Sequence, residues 1–174
     1  MAASHTLWLL RHAKAVVDPP DGGGDHERPL SAKGRRDSDA LGKRLGKGGD
    51  RFALKGWPDL VLCSTATRTR ETAERALARV KSAPPVEYRR SLYEAAPQDV
   101  VAELNALDEE IDIVLVVGHN PTAEILAASF ARPTGKRLPQ ALPTCALAVF
   151  TFSLPWSEVE LGTALSIKLF VPPF

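Results

Sequence analysis

LWLLRHAKA, residues 7–15, joins four consecutive apolar side chains to Arg11, His12 and Lys14. A strand half exposed to water alternates polar and apolar residues. An unbroken apolar run suits a strand covered on both faces, as in a parallel sheet. The basic residues then fall where the strand ends. Runs of the same kind recur at residues 59–63 (DLVLC), 112–117 (DIVLVV), 145–152 (CALAVFTF) and 165–171 (LSIKLFV), each rich in branched or aromatic residues. Helical segments separate them. Residues 31–46 (SAKGRRDSDALGKRLG) start with Ser31 as an N-cap, place Ala40, Leu41 and Leu45 at helical spacing, and run out at Gly46, Gly48 and Gly49. Residues 65–80, 97–107 and 121–130 have similar character. Strand followed by helix, repeated, predicts an α/β chain: a three-layer α/β/α sandwich with a mostly parallel central sheet. The last two strands are joined by a Pro-rich connection with no obvious helix, so they are free to pair differently.

Composition narrows the function classes. The chain has 174 residues, 44% hydrophobic and 25% charged, enough for one ordinary core, so residues 1–174 are expected to form a single domain. Lys and Arg number 22 against 21 Asp and Glu, a net charge of +1, which gives no general attraction to nucleic acid or membranes. Any preference for anions must be local. Two cysteines, Cys63 and Cys145, are too few for a disulfide framework, and the N-terminus does not read as a secretion signal. A reduced, cytoplasmic protein is expected. No apolar stretch approaches the roughly 20 residues that span a bilayer. No heptad or long apolar stripe speaks to oligomeric state.

The chemistry gathers at strand ends. His12 follows LWLL, and His119 closes DIVLVVGHNP more than a hundred residues later. An open parallel sheet binds its ligands at the carboxyl edge, where the two imidazoles can converge. Arg11 precedes His12, and Arg68 lies in CSTATRTRETA, residues 63–73, at the turn after a third strand. Guanidinium is the side chain best suited to a bidentate grip on phosphate oxygens, and the helix opening at that turn adds free N–H groups and a favourable dipole. Together these point to a phosphoryl group. A metal between the histidines would be repelled by the neighbouring guanidiniums, and neither histidine has an acidic partner at metal-ligand spacing. Nucleophilic catalysis fits better: neutral His12 attacks phosphorus in line while Arg11, Arg68 and a protonated His119 stabilise the equatorial oxygens. The Gly-rich loop DPPDGGGDHERP, residues 18–29, lies where ligand-contacting loops are expected.

Four motifs resemble those of the histidine phosphatase, or phosphoglycerate mutase-like, superfamily. RHA at 11–13 resembles its Arg-His-Gly signature with Ala13 in place of glycine. VGHNP at 117–121 is similar to its second-histidine motif, and STATRTRETA at 64–73 to its Ser-x-x-x-Arg-x-x-x-Thr-Ala turn. RPLSAKG at 28–34 resembles an element of the short, SixA-like phosphohistidine phosphatase branch. The likeness runs from about residue 7 to 152 and implies a phosphoglycerate mutase-like fold. It implies that His12 is the phosphorylated nucleophile and that Arg11, Arg68 and His119 hold the phosphoryl group, with Arg28 as an additional contact. It implies no metal and no cofactor. Larger members protonate the leaving oxygen with a Glu or Asp, and Glu94 in SLYEAAP, residues 91–97, lies in the corresponding region. A solvated surface carboxylate is the alternative for Glu94, since a leaving nitrogen that arrives protonated needs no acid.

The resemblance implies a phosphatase acting on a phosphorylated protein side chain, phosphohistidine, or on a small phosphorylated metabolite. Mutase activity and non-catalytic binding of phosphorylated ligands remain as alternatives; mutases carry longer lids than this chain affords. Lys136 and Arg137 are further basic residues that could face substrate anions. A cysteine phosphatase is the rival chemistry. Four residues intervene between Cys63 and Arg68 and six between Cys63 and Arg70, one short and one too many for that signature loop, and Cys63 sits within an apolar run.

Overall fold

Strand β1 (His5–Arg11) is buried along both faces. Successive side chains point to opposite sides of a sheet, so Leu7 and Leu9 enter one apolar layer while Trp8 and Leu10 enter the other. That division explains why its sequence is continuously apolar. The computed structural model describes residues 4–46, 56–132 and 141–174, with Gly135 and Leu138. Gly48, Gly49, Lys136 and Arg137 lie outside the described residues.

The other elements are α1 (Ala32–Leu45), β2 (Leu60–Ser64), α2 (Thr67–Leu77), β3 (Val86–Arg89), α3 (Pro97–Asn105), β4 (Ile113–Gly118), α4 (Thr122–Ala131), β5 (Leu147–Phe152) and β6 (Ser166–Phe170). One six-stranded sheet runs in the order β3-β2-β4-β1-β5-β6. The first four are mutually parallel, whereas β5 pairs antiparallel with β1 and β6 antiparallel with β5. Helices α1 and α2 cover one face, packing Leu41, Leu45, Ala73 and Leu77 against Trp8, Val61 and Leu115. Helices α3 and α4 cover the other, where Val100, Leu104, Leu126 and Phe130 meet Leu9, Leu62 and Val116. The expected sandwich and the different pairing of the last two strands are both present. Strand β3 was not expected. It is an edge strand with mostly exposed residues, so VEYR lacks the apolar run that marks its neighbours.

Close packing joins the first helix to the loop that follows β1. Ser31 caps α1 by accepting a hydrogen bond from the Gly34 amide at 3.1 Å, and its hydroxyl donates to the Lys14 carbonyl at 2.9 Å. A Cβ on Gly34 would lie 2.1 Å from that same carbonyl oxygen. Glycine here is a matter of space, and it fixes the loop two residues beyond His12.

Candidate active site

Register brings the two histidines together. In the parallel β1–β4 pair Arg11 lies opposite Gly118, so His12 and His119 leave adjacent strands at the same level. Their ring centroids are 5.2 Å apart. The His12 amide donates to the Gly118 carbonyl at 3.0 Å, and the Cys145 amide donates to the carbonyls of Arg11 and His12, each at 3.1 Å. Strand β2 stands on the other side of β4, and its last residue, Ser64, meets His119 Nε2 through its hydroxyl at 2.7 Å. The chain then turns into α2, whose second residue is Arg68.

The His12 ring is held by a backbone contact that fixes its tautomer. Its Nδ1 lies 2.7 Å from the Ala13 carbonyl oxygen. A carbonyl only accepts, so Nδ1 carries the proton and Nε2 of the neutral ring keeps its lone pair. Burial first, then the guanidiniums of Arg68, Arg11 and Arg28, lower the imidazole to about 4 against the opposing pull of the Ala13 bond. His119 is lowered further, to about 3, by burial and then by His12 and Arg68, with Asp25 opposing. Its own surroundings thus hold His119 neutral. The proton expected on it requires a negative charge to arrive beside it.

The cations come from three places. Arg11, the last residue of β1, donates from Nη1 to the Leu142 carbonyl; burial lowers its pKa and the Glu124 carboxylate partly restores it. Glu124 also accepts from the Leu142 amide at 3.0 Å and from Asn120 Nδ2 at 2.9 Å, so it ties the Arg11 partner to the start of α4. Arg68 is buried and grips Asp25 twice, Nη1 on the backbone carbonyl at 2.6 Å and Nη2 on the carboxylate at 2.8 Å. Arg28 donates from Nε to the Val16 carbonyl at 2.8 Å and from Nη1 to Asp25 Oδ1 at 2.6 Å. The Tyr93 hydroxyl also donates to Asp25, at 2.8 Å. With Arg28 as the largest influence, then Tyr93 and Arg68, the Asp25 carboxyl is held well below the usual range. One carboxylate therefore fastens the Gly-rich loop, α2 and the segment after β3 together.

Arg11, His12, Arg28, Arg68, His119 and Glu94 all line one cavity of about 680 Å³. Glu94 is exposed on its wall, with φ of 58°. Asp25, Tyr93 and Glu124 were not singled out from sequence. Their contacts span tens of residues, and only the position of Asp25 three residues before Arg28 offered a signal. Among the described residues, no three His, Cys, Asp or Glu side chains are grouped so as to hold a metal ion. Cys63 is fully buried, and burial pushes its thiol up to about 12. A thiolate nucleophile there would be neither formed nor reached. His5 is occupied structurally, stacked on Trp156 at 4.7 Å and 2.9 Å from Glu109. No helix among the described residues is long and apolar enough to cross a membrane.

Residues 7–100 match the model of the histidine phosphatase superfamily (branch 1), and this chain belongs to that superfamily. An uncharacterized protein of Mycobacterium tuberculosis strain H37Rv is 38% identical over 94% of this chain and 99% of its own. Among solved structures, a candidate phosphohistidine phosphatase SixA from Nakamurella multipartitia is 31% identical, with a TM-score of 0.70, covering 98% of this chain and 95% of its own. The protein histidine phosphatase SixA complexed with tungstate is 25% identical, with a TM-score of 0.68 over 85% and 88% of the two chains.

Proposed function

We propose that this chain is a metal-independent phosphatase that hydrolyses a phosphorylated protein side chain, phosphohistidine above all, or a small phosphorylated substrate, through a phosphohistidine on His12. The observation that carries the reading is the His12 ring: its proton is committed to the Ala13 carbonyl and its pKa is about 4, so at neutral pH Nε2 is a free nucleophile. In the first step Nε2 forms a bond to phosphorus as the bond to the leaving nitrogen or oxygen breaks. In the second, water attacks the same phosphorus, His12 leaves, and inorganic phosphate is released. Arg11 and Arg68, with Arg28, stabilise the charge on the equatorial oxygens throughout. His119 acquires its proton as the phosphoryl dianion enters, because that charge outweighs the repulsion from its neighbours. A leaving imidazole that arrives protonated needs no acid; for a phosphoester, Glu94 on the cavity wall supplies the proton.

Tungstate bound by a SixA protein of similar fold supports an oxyanion in this pocket, since tungstate has the tetrahedral shape of phosphate. Both cysteines are free and buried, which supports a reducing, cytoplasmic setting. The test is acid or base quench after brief mixing with p-nitrophenyl phosphate in the presence of a chelator. An acid-labile, base-stable phosphoenzyme, lost in His12→Ala, is expected. Reversible binding with no covalent species, or turnover that depends wholly on added metal, would overturn the proposal.

A further inference from the structure

The cavity has two chemically different walls. Its cations, Arg11, Arg28 and Arg68, gather at the carboxyl edge of the sheet with the two histidines. The wall made by the segment after β3 and the start of α4 is built from Leu92, Ala95, Pro97, Val100, Ile125 and Leu126. Thr122 holds its two halves together by donating to the Ala95 carbonyl. Leu92, Val100 and Leu126 belong to the core on that face, so the wall is firmly backed, while Ile125 presents an exposed apolar side chain. Glu94 is the charged group among the described residues of this wall, and Asp25 stands between the two walls, bound to Arg28, Arg68 and Tyr93.

We infer that this wall receives the leaving group, and that it selects substrates whose phosphoryl group is the sole anion near the reacting centre: an apolar or aromatic leaving group, uncharged or cationic. The inference rests on the reading of the cation cluster as the phosphoryl site. Once the phosphoryl group occupies the arginines, a second phosphate or a carboxylate on the substrate meets aliphatic surface and the Glu94 carboxylate. An unpaired anion against apolar surface loses hydration without compensation, and a like charge beside it adds repulsion. Discrimination of this kind comes from what the site refuses as much as from what it binds. A protonated imidazole or an alkylammonium is drawn toward Glu94, whereas the Asp25 carboxylate is already paired with Arg28 and Arg68. Sugar bisphosphates, nucleoside polyphosphates and phosphorylated carboxylic acids are disfavoured.

Three matched substrates test this: phenyl phosphate, 4-carboxyphenyl phosphate and 4-(aminomethyl)phenyl phosphate. We expect kcat/KM for the carboxylate to fall about tenfold or more below phenyl phosphate, and that of the ammonium compound to equal or exceed it. Ile125→Lys, which adds a cation to the exposed position on the wall, is expected to raise the ratio of kcat/KM for the carboxylate substrate to that for phenyl phosphate severalfold, whatever the change in either value alone. Equilibrium binding of the same three compounds to His12→Ala, which cannot form the phosphoenzyme, should show the same order. Equal handling of the carboxylate and the parent compound in both measurements overturns the inference. Absence of turnover with the predicted order of binding removes the proposed activity and leaves the selectivity standing.

Discussion

Acidification from pH 7 to pH 5 is expected to destabilise the fold through its two site histidines. An ordinary imidazole titrates near 6.5, whereas the folded protein lowers His12 to about 4 and His119 to about 3. The native state therefore binds fewer protons than the unfolded chain wherever the pH lies between those values and 6.5, and stability falls as pH falls through that window. Each histidine costs about 1.4 kcal/mol per pH unit there. From 6.5 to 5 the loss is about 2 kcal/mol per ring and about 4 kcal/mol for the pair, an upper figure because both rings retain some solvent contact. Asp25 does not contribute in this range. Its carboxyl is also lowered, so its stabilisation is present above the ordinary carboxylate pKa and is lost only as pH falls below about 4. Urea unfolding at pH 7 and pH 5 of the native protein and of the His12→Asn, His119→Asn double variant measures the effect. The double variant should lose several kcal/mol less than the native protein. Saturating inorganic phosphate should shrink the native protein's loss, since a bound anion favours protonated His119. Identical pH dependence in the two proteins would refute the burial of neutral imidazoles as the cause.

Other consequences are as direct. Gly34→Ala forces a Cβ to within 2.1 Å of the Lys14 carbonyl oxygen, whereas Gly118→Ala meets no atom within 4 Å; overpacking of about 1–3 kcal/mol should lower Tm by several degrees in the first and hardly at all in the second, and equal shifts by calorimetry would count against the steric reading. Asp25→Asn removes the charge that fixes Arg68 and Arg28, so kcat/KM for an aryl phosphate should drop about tenfold, as expected for a charged hydrogen bond, while Tyr93→Phe, which deletes one neutral donor, should cost only about twofold; steady-state kinetics decides. Iodoacetamide under native conditions should leave Cys63 unmodified and activity intact, and mass spectrometry showing Cys63 alkylated in step with inactivation would contradict this.

The layered sheet was legible because burial on both faces leaves a continuous apolar run, and β1, β2 and β4 each carry one. The meeting of His12 and His119 followed from their strand ends once parallel pairing was assumed. Strand β3 was hidden because an edge strand with exposed residues has no apolar signature. The fastening of Arg68 by Asp25, 43 residues away in sequence, was hidden for a different reason: a single long-range polar contact has no period to read. The same holds for Glu124, which reaches Leu142 across a segment with no sequence pattern joining the two. Glu94 was located by the motif around it, and it does stand on the cavity wall.

The His12 peptide is pinned from both flanks, by Gly118 on one side and Cys145 on the other, in the interior of a six-stranded sheet. Arg28 and Asp25 ride instead on a surface loop, joined to the rest by side-chain contacts and an isolated bridge between Ala15 and Leu30. Inheritance can therefore act on the two separately. Changes in loop length or charge can reshape that side of the cavity while the His12 backbone keeps its place. A fold arranged this way can vary one side of its cavity without disturbing the strand ends at its floor.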